Sequence, residues 1–304
     1  MRVAITGSTG LVGSEVVTVL SAAGHEVVRL VRRAPAPGEK AVRWDPVRRE
    51  VDAAGLEGFD AVIHLAGENV GAGRWTPARK AAIRDSRVNG TRLLCDALAG
   101  LARPPKTLLC ASAVGYYGDR GEERLTEESS PGTGFLAEVC REWEAASAPA
   151  ARKGIRVVAL RIGMVLSPKG GALARMLPLF RAGLGGVIGG GRQYVGWVAL
   201  DDLPHIILHA LQRDDLRGPV NAVAPRPVTN REFTETLGTA LSRPTPLTVP
   251  AFALRLAVGR EMADGLLLAS ARVVPKRLEE TGYRFRFPEL LAAFRHMLAG
   301  TSMT

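Results

Sequence analysis

The clearest chemistry in the chain lies in its first thirteen residues. Met1-Arg2-Val3-Ala4-Ile5 is a short, mainly apolar run that leads into Thr6-Gly7-Ser8-Thr9-Gly10-Leu11-Val12-Gly13, and an apolar helical pattern follows at once. Strand, glycine turn and helix in that order suit a dinucleotide. Glycines at 7, 10 and 13 allow a tight turn, let the backbone approach a pyrophosphate, and let the helix pack close to the strand. Free N–H groups at the helix start then face the anion. Gly7, Ser8, Thr9, Gly10, Leu11, Val12 and Gly13 are therefore candidate cofactor contacts, although the same spacing also serves an ordinary strand–helix turn.

Further candidates lie downstream. Residues 25–31 read as a second strand ending in Val31-Arg32-Arg33, with no carboxylate before Glu39. A free ribose 2′-hydroxyl usually meets an acid near this strand end, and a 2′-phosphate prefers arginine. Arg32 and Arg33 thus favour NADP(H) over NAD(H); the alternative is that they are exposed loop charges. Asp45, at the end of a third short strand, is placed to reach an adenine edge. Residues 59–67 are almost continuously apolar, as a parallel strand covered on both faces requires. This run ends in Leu65-Ala66-Gly67, small enough for a cofactor to pass, and Glu68 and Asn69 follow as substrate-side candidates. Ser112-Ala113-Val114-Gly115-Tyr116-Tyr117-Gly118-Asp119 leaves another strand, carrying a serine and two tyrosines. Arg161-Ile162-Gly163 closes the next, which adds Arg161 as a substrate contact and Gly163 as a cofactor contact.

The positioning elements alternate. Five or six strands and their helices fill the first 165 residues, including a helix opened by Thr76-Pro77 and an amphipathic helix over 134–152. That pattern is an α/β, Rossmann-like, doubly wound parallel sheet. Residues 1–165 read as the NADP-binding domain. Residues 166–245 read as substrate-side segments interleaved with the core, with a glycine-dense stretch at 183–191 and a capping-box pattern at Thr229-Asn230-Arg231-Glu232. Residues 246–300 read as a small C-terminal region, mainly helical.

Composition narrows the function classes. The 304 residues are 46% hydrophobic and 23% charged, values of a globular protein, and no apolar run approaches a membrane span. The N-terminus enters a strand at once, without a leader pattern, so cytoplasm is the expected location. The net charge of +10 is mostly arginine. No long basic run or recognition motif accompanies it, so nucleic acid is not an expected partner. Cys95, Cys110 and Cys140 lack metal-site spacing and read as reduced thiols. His205 and His209 stand one helical turn apart with Ile-Ile-Leu between them and no third ligand, so no metal site is expected.

Taken together, Thr6-Gly7-Ser8-Thr9-Gly10-Leu11-Val12-Gly13, Leu65-Ala66-Gly67, Val88-Asn89-Gly90-Thr91, Tyr117-Gly118 and Asp201-Asp202-Leu203 resemble the extended short-chain dehydrogenase/reductases. These are NAD(P)-binding epimerases, dehydratases and reductases. Leu65-Ala66-Gly67-Glu68-Asn69, residues 112–118, Gly183-Leu184-Gly185-Gly186 with Trp197, and the tail from Val274-Pro275-Lys276-Arg277 to Pro288-Glu289-Leu290 resemble more closely its atypical branch. That branch is the epimerase family with a C-terminal domain of unknown function. The resemblance implies cofactor contacts at the glycine turn, near Arg32, at Leu65 and Ala66, at Ser86 and around Gly163. Homodimers are common among such proteins, and by analogy a homodimer is open here.

The departures bear on chemistry. Relatives use a Tyr-x-x-x-Lys pair in which the lysine lowers the tyrosine pKa for proton exchange. Here the corresponding helix reads Gly134-Phe135-Leu136-Ala137-Glu138-Val139-Cys140-Arg141. The serine partner is Ser112 or Ala113, depending on a one-residue gap. Val195 stands where nucleotide-sugar enzymes place a diphosphate arginine, with Arg192 nearby. Two functions follow as expectations. One is an NADP(H)-dependent oxidoreductase on an unknown small carbonyl or sugar-like substrate, with Tyr116 or Tyr117 as proton donor and Ser112 beside them. The other is an NADP(H) sensor or scaffold with little or no chemistry.

Overall fold

The computed structural model describes residues 1–299; Gly300, the last residue of the expected C-terminal region, lies outside the described residues. Strand β1 (Arg2–Thr6), helix α1 (Leu11–Ala22), strands β2 (Glu26–Val31), β3 (Ala41–Asp45), β4 (Glu50–Val51) and β5 (Ala61–His64), helix α2 (Pro77–Gly100), strand β6 (Thr107–Ala113) and helix α3 (Phe135–Ala145) follow in order. The strands Arg156–Ile162 and Gly218–Ala222 complete one eight-stranded sheet. Across it the order is Gly218–Ala222, Arg156–Ile162, β6, β5, β1, β2, β3, β4. Every pairing is parallel except the β3–β4 hairpin. β1 lies between β2 and β5, with Val3 opposite both Val27 and Ala61. The strand order therefore reverses at β1, and the crevice beyond its carboxyl end is where open α/β sheets bind ligands.

The two-residue period of β1 sets the two cores. Val3 and Ile5 face α1, through Val16 and Leu20, and the helix Leu203–Gln212. Ala4 faces the opposite layer, which α2 fills with Leu94, Cys95 and Leu98. A third core joins the C-terminal region to the rest, with Phe294 set edge-on to Phe233 at 5.2 Å. No helix among the described residues is long and apolar enough to cross a membrane.

Three local readings change. The single helix expected over 134–152 is two, Phe135–Ala145 and Ala148–Arg152. Pro149 lacks the N–H and its ring crowds the preceding turn, which favours a break there, and it stands in the first turn of the second helix. The β4 hairpin strand and the Gly218–Ala222 strand were not expected from sequence. The latter contains Pro219, which a sheet accepts because this strand lies at its edge. Helix α2 starts where expected: the Thr76 hydroxyl accepts the Arg79 N–H at 3.2 Å, with Pro77 in the first turn.

A buried polar chain ties β1 to the layer beneath it. Thr6 Oγ1 accepts the N–H groups of Leu65 and Ala66 at 3.1 and 3.2 Å. Its own proton then goes to His64 Nδ1, 2.7 Å away, and His64 Nε2–H donates to Thr91 Oγ1 at 3.0 Å. Trp143 Nε1 donates to the same threonine oxygen at 2.9 Å. The hydrogen-bond inventory assigns this tautomer. His64 is completely buried, and burial pushes its pKa from 6.5 down to about 4.

Because the folded pKa is depressed, this contribution to stability is complete above pH 6.5 and is lost as pH falls toward about 4. The gap corresponds to about 3 kcal/mol. Urea unfolding followed by tryptophan fluorescence is expected to show this acid-side loss in the parent protein. His64→Gln should be less stable at neutral pH but lack that part of the slope. Equal pH slopes in the two proteins would refute the assignment.

Candidate functional site

The glycine turn lies at the reversal point and is shaped by contact. Gly7 has φ +69°, and a Cβ there would stand 3.0 Å from the Ala66 nitrogen. A Cβ on Gly13 would stand 2.1 Å from the Gly7 carbonyl oxygen. Only glycine lets α1 start this close to the tip of β1. Gly10, at the helix N-cap, supplies no side-chain cap to the N–H groups of Leu11, Val12 and Gly13. The helix therefore presents uncapped donors and its positive dipole end to the crevice. These residues fit a bound pyrophosphate: the backbone is bare and the donors have no side-chain acceptor. Ser8 and Thr9 complete the turn.

On the β2 side lies a basic cleft of about 600 Å³ lined by Arg32, Arg33, Arg43, Arg48 and Asp45. Arg32 is exposed and has no carboxylate partner among the described residues. Arg33, by contrast, forms two bonds to Glu39, at 2.7 and 2.6 Å. The Arg33 guanidinium and the Ala36 N–H hold the Glu39 carboxyl at about 2. Arg33 is thus committed to its own loop, and Arg32 is the free member of the pair. Arg43 is paired with Glu50, and Arg48 stands 3.9 Å from Asp45. Asp45 accepts the N–H groups of Val47 and Arg48, so its carboxylate braces a turn.

On the β5 side, Leu65, Ala66 and Gly67 leave the strand tip. The Ser86 hydroxyl donates to the Ile83 carbonyl and accepts the Glu68 N–H at 3.1 Å. Ser86 therefore holds the strand-end loop from beneath. Glu68 is ion-paired with Arg79 at 2.8 Å. The Asn69 side chain accepts the Gly71 N–H, and Arg79 also reaches the Asn69 carbonyl. Both lie exposed on the rim. The C-terminal region braces this rim: Arg74 donates to the carbonyls of Leu256 and Ala257.

Beyond β6 the structure reassigns three candidates. Arg161 is 3% exposed and makes a bidentate pair with Glu144, both bonds 2.8 Å. Burial opposes its charge, but Glu144 and the Tyr117 hydroxyl outweigh burial and raise its pKa. Arg161 is thus a buried strut and has no reach to a substrate. Tyr117 is fully buried; its hydroxyl accepts from Arg161 at 3.0 Å and donates to Asn221 Oδ1 at 2.7 Å, with the Thr126 carbonyl a further acceptor at 3.0 Å. Burial pushes its pKa up to about 12 despite Arg161. It serves the same strut and has no proton free for a substrate. Ser112, also buried, donates to Glu144 Oε1 at 2.7 Å and orients the carboxylate rather than a reacting group. The network ends at Glu127, whose Oε1 accepts the Asn221 N–H while its Oε2 has no partner.

Tyr116 is different. It is half-buried, its ring lies under the Arg161 guanidinium at 3.4 Å from the centroid, and its hydroxyl has no partner among the described residues. On α3, Leu136 and Cys140 face the β6 tip: a Cβ on Gly115 would meet Leu136 Cβ at 3.3 Å and Cys140 Sγ at 3.8 Å. Cys140 is buried, and burial pushes its thiol up to about 12. Gly163 packs backbone against backbone, since a Cβ there would stand 2.7 Å from the Gly196 carbonyl. The polar groups of His64, Trp143 and Glu144, which help to hold these tips in place, were not among the sequence candidates, and Thr91 entered only as part of the Val88-Asn89-Gly90-Thr91 motif. His205 bonds to the Asp201 carbonyl and His209 to Thr281, and they share no ligand.

Comparison with known proteins agrees with this geometry. Residues 3–222 match the NAD dependent epimerase/dehydratase family, and residues 249–297 match a domain of unknown function, DUF1731. The chain belongs to the epimerase family. Epimerase family protein Mb2239 of Mycobacterium bovis is 48% identical over 285 residues, covering 93% of each chain. Epimerase family protein SDR39U1 of Homo sapiens is 39% identical over 306 residues, covering 98% of this chain and 100% of that one. Among solved structures, human epimerase family protein SDR39U1 (isoform 2) with NADPH superposes with TM-score 0.90 at 36% identity, covering 98% and 99% of the two chains. The nucleoside-diphosphate sugar epimerase from Corynebacterium glutamicum superposes with TM-score 0.79 at 41% identity, covering 98% of this chain and 58% of that one. The first match ends at the edge strand Gly218–Ala222, so the epimerase region takes in the whole central sheet.

Tyr117→Phe removes an acceptor from a buried cation and a donor from Asn221. It is expected to lower stability by about 1–3 kcal/mol while leaving nucleotide affinity unchanged. Chemical denaturation and titration with NADPH check both parts. Full stability with lost binding would instead place Tyr117 in the site.

Proposed function

We propose that this epimerase-family protein binds NADP(H) and acts as an oxidoreductase on a small carbonyl or sugar-like substrate. The observation that carries the reading is the uncapped glycine turn at the strand-order reversal, with the unpaired Arg32 in an arginine-lined cleft on its β2 side. A 2′-phosphate is the charge such a cleft complements. The NADPH in the similar human structure supports the same choice.

In this reading the bound cofactor supplies or accepts the hydride. The backbone of residues 7–13 binds the pyrophosphate, and Arg32 binds the 2′-phosphate. Leu65, Ala66 and Gly67 form the floor, with Ser86 fixing the loop above it and Gly163 permitting the close approach of the neighbouring backbone. Tyr116 is the proton donor. Its hydroxyl has no partner among the described residues, and its ring is held under the Arg161 guanidinium. Asn69 and Glu68 present polar groups from the rim. A cleft of about 540 Å³ between Asp119, Gly190, Arg192, Arg255 and Asp264 offers the substrate-side volume.

A second reading is favoured by one observation. α3 contains neither tyrosine nor lysine, and the hydroxyls of Ser112 and Tyr117 are consumed internally. The protein would then be an NADP(H) sensor or scaffold. The readings separate on turnover. Under the first, a carbonyl screen yields NADPH oxidation that Tyr116→Phe lowers by about a hundredfold or more, the usual worth of a general acid. Tight cofactor binding with no turnover across the screen would favour the second.

Arg32→Ala is expected to weaken NADPH by about ten- to a hundredfold, the worth of one charge-assisted phosphate contact, while NADH changes little. Calorimetric titration of both cofactors against parent and variant measures this. Equal losses for the two would remove the 2′-phosphate assignment.

A further inference from the structure

Two arginines far from the cofactor crevice are held side by side without a counter-ion. The strands Arg124–Leu125 and Arg272–Val273 pair in parallel, with Arg272 opposite Arg124 and Val273 opposite Leu125. Leu125 and Val273 are fully buried and pack with Tyr117 and Val223. Side chains alternate along a strand, so the two arginines share the opposite face. Paired strands lie about 4.8 Å apart, and like charges placed opposite one another cost stability. Neither arginine has a hydrogen bond or an ion pair among the described residues. Arg124 is exposed, while Arg272 is half-buried with its guanidinium 5.2 Å from the centre of the Tyr194 ring.

The surface around this pair is concave. Arg124, Arg272 and Arg226 line a cleft of about 310 Å³, with Val274 between the charged groups and the core. Arg226 stands between Pro225 and Pro227, whose rings restrict the backbone, and its carbonyl accepts the Trp197 Nε1–H at 3.2 Å. One of its guanidinium nitrogens is paired with Glu289. Glu279 also lines the cleft and pairs with none of the three arginines. The register of two strands thus imposes a repulsion that no group of the protein relieves. The cleft lies at the other end of the sheet from Arg32: Arg226 follows the edge strand Gly218–Ala222, and Arg32 follows β2.

We infer that this cleft is an oxyanion site, separate from the cofactor crevice, for the phosphoryl group of a small ligand, either free phosphate or a phosphate monoester. Arg124 and Arg272 hold the group from adjacent strands, and Arg226 closes a third side. A tetrahedral phosphoryl dianion accepts from two guanidinium forks at once and cancels their repulsion, whereas one carboxylate neutralises one charge. The volume suits a small ligand. Its occupant joins three parts of the chain: the loop between β6 and α3, the loop after the edge strand, and the C-terminal region. Two bonds already bridge that junction. The Leu125 carbonyl accepts the Val274 N–H at 2.9 Å, and the Asn221 side chain donates to the Val274 carbonyl at 2.9 Å. Binding therefore tightens the attachment of the C-terminal region to the central sheet.

Thermal unfolding of the full chain tests it, in inorganic phosphate, in glycerol phosphate and in chloride at matched ionic strength and neutral pH. The parent is expected to gain about 2–4 °C in at least one of the two phosphate salts, the shift that filling a weak site brings. Arg124→Thr, which keeps a strand-forming residue at an exposed position, and Arg272→Gln are each expected to lose most of that gain. Arg32→Ala, in the cofactor cleft, is expected to keep most of it. In chloride, Arg124→Thr is expected to be no less stable than the parent, because it removes a repulsion and no bond. A gain in both salts assigns the site to phosphate itself, and a gain in the ester alone assigns it to a phosphorylated metabolite. Equal gains in the parent and both cleft variants would reveal general salt stabilisation and overturn the proposal. So would no gain in the parent, a gain abolished by Arg32→Ala instead, or an Arg124→Thr protein less stable than the parent in chloride.

Discussion

The approach of Gly13 to the Gly7 carbonyl governs the rest of the molecule. With a side chain at residue 13, α1 would have to lift off the tip of β1, because a Cβ would overlap the carbonyl oxygen at 2.1 Å. Without one, the helix starts against the strand and its first N–H groups face the crevice where strand order reverses. The backbone of residues 65 and 66 is drawn to the same point, close enough to Gly7 that its Cβ would also collide. Fold and ligand site are thus one constraint. Packing that closes the sheet against α1 leaves the anion-binding donors exposed.

Two buried polar networks hold the flanking strand tips. On the β5 side, Thr6, His64, Thr91 and Trp143 link two strands, a loop and two helices through neutral hydrogen bonds. On the far side, Ser112, Glu144, Arg161, Tyr117, Asn221 and Glu127 join β6, α3 and the two last sheet strands through a buried ion pair. The Asn221 side chain continues to the Val274 carbonyl, so the C-terminal region is locked to the same network. Such networks are costly when half-satisfied and rigid when complete. Their functional effect here is subtractive. Groups that would look reactive in isolation are committed to structure, and Tyr116 and Arg32 are left with capacity to spare.

Much of the fold was legible because its signals are local. The glycine spacing, the β1 and β2 apolar runs and the Thr76-Pro77 start each dictate nearby geometry, and the parallel sheet follows from their alternation. Gly218–Ala222 was not legible, since a strand with glycine and proline declares itself only through its position at the sheet edge. The candidate cofactor residues of the glycine turn were readable for the same local reason. Catalytic candidates were not: Ser112, Tyr117 and Arg161 have reactive side chains in the right stretch, but their partners, Glu144 and Asn221, are distant in sequence. Arg33 illustrates this at short range. Glu39, six residues on, claims it and leaves Arg32 as the free cation. Ser86, a cofactor contact implied by family resemblance, sits on α2 and holds the loop after β5 through the Glu68 N–H.

A crystal structure of the protein grown with NADP⁺ would test the central claim most directly. The expected result places the pyrophosphate on the N–H groups of Leu11, Val12 and Gly13, the 2′-phosphate beside Arg32, and the nicotinamide half across Gly67 toward Tyr116. A dinucleotide bound elsewhere, or one whose adenosine half lies on the β5 side, would contradict the account.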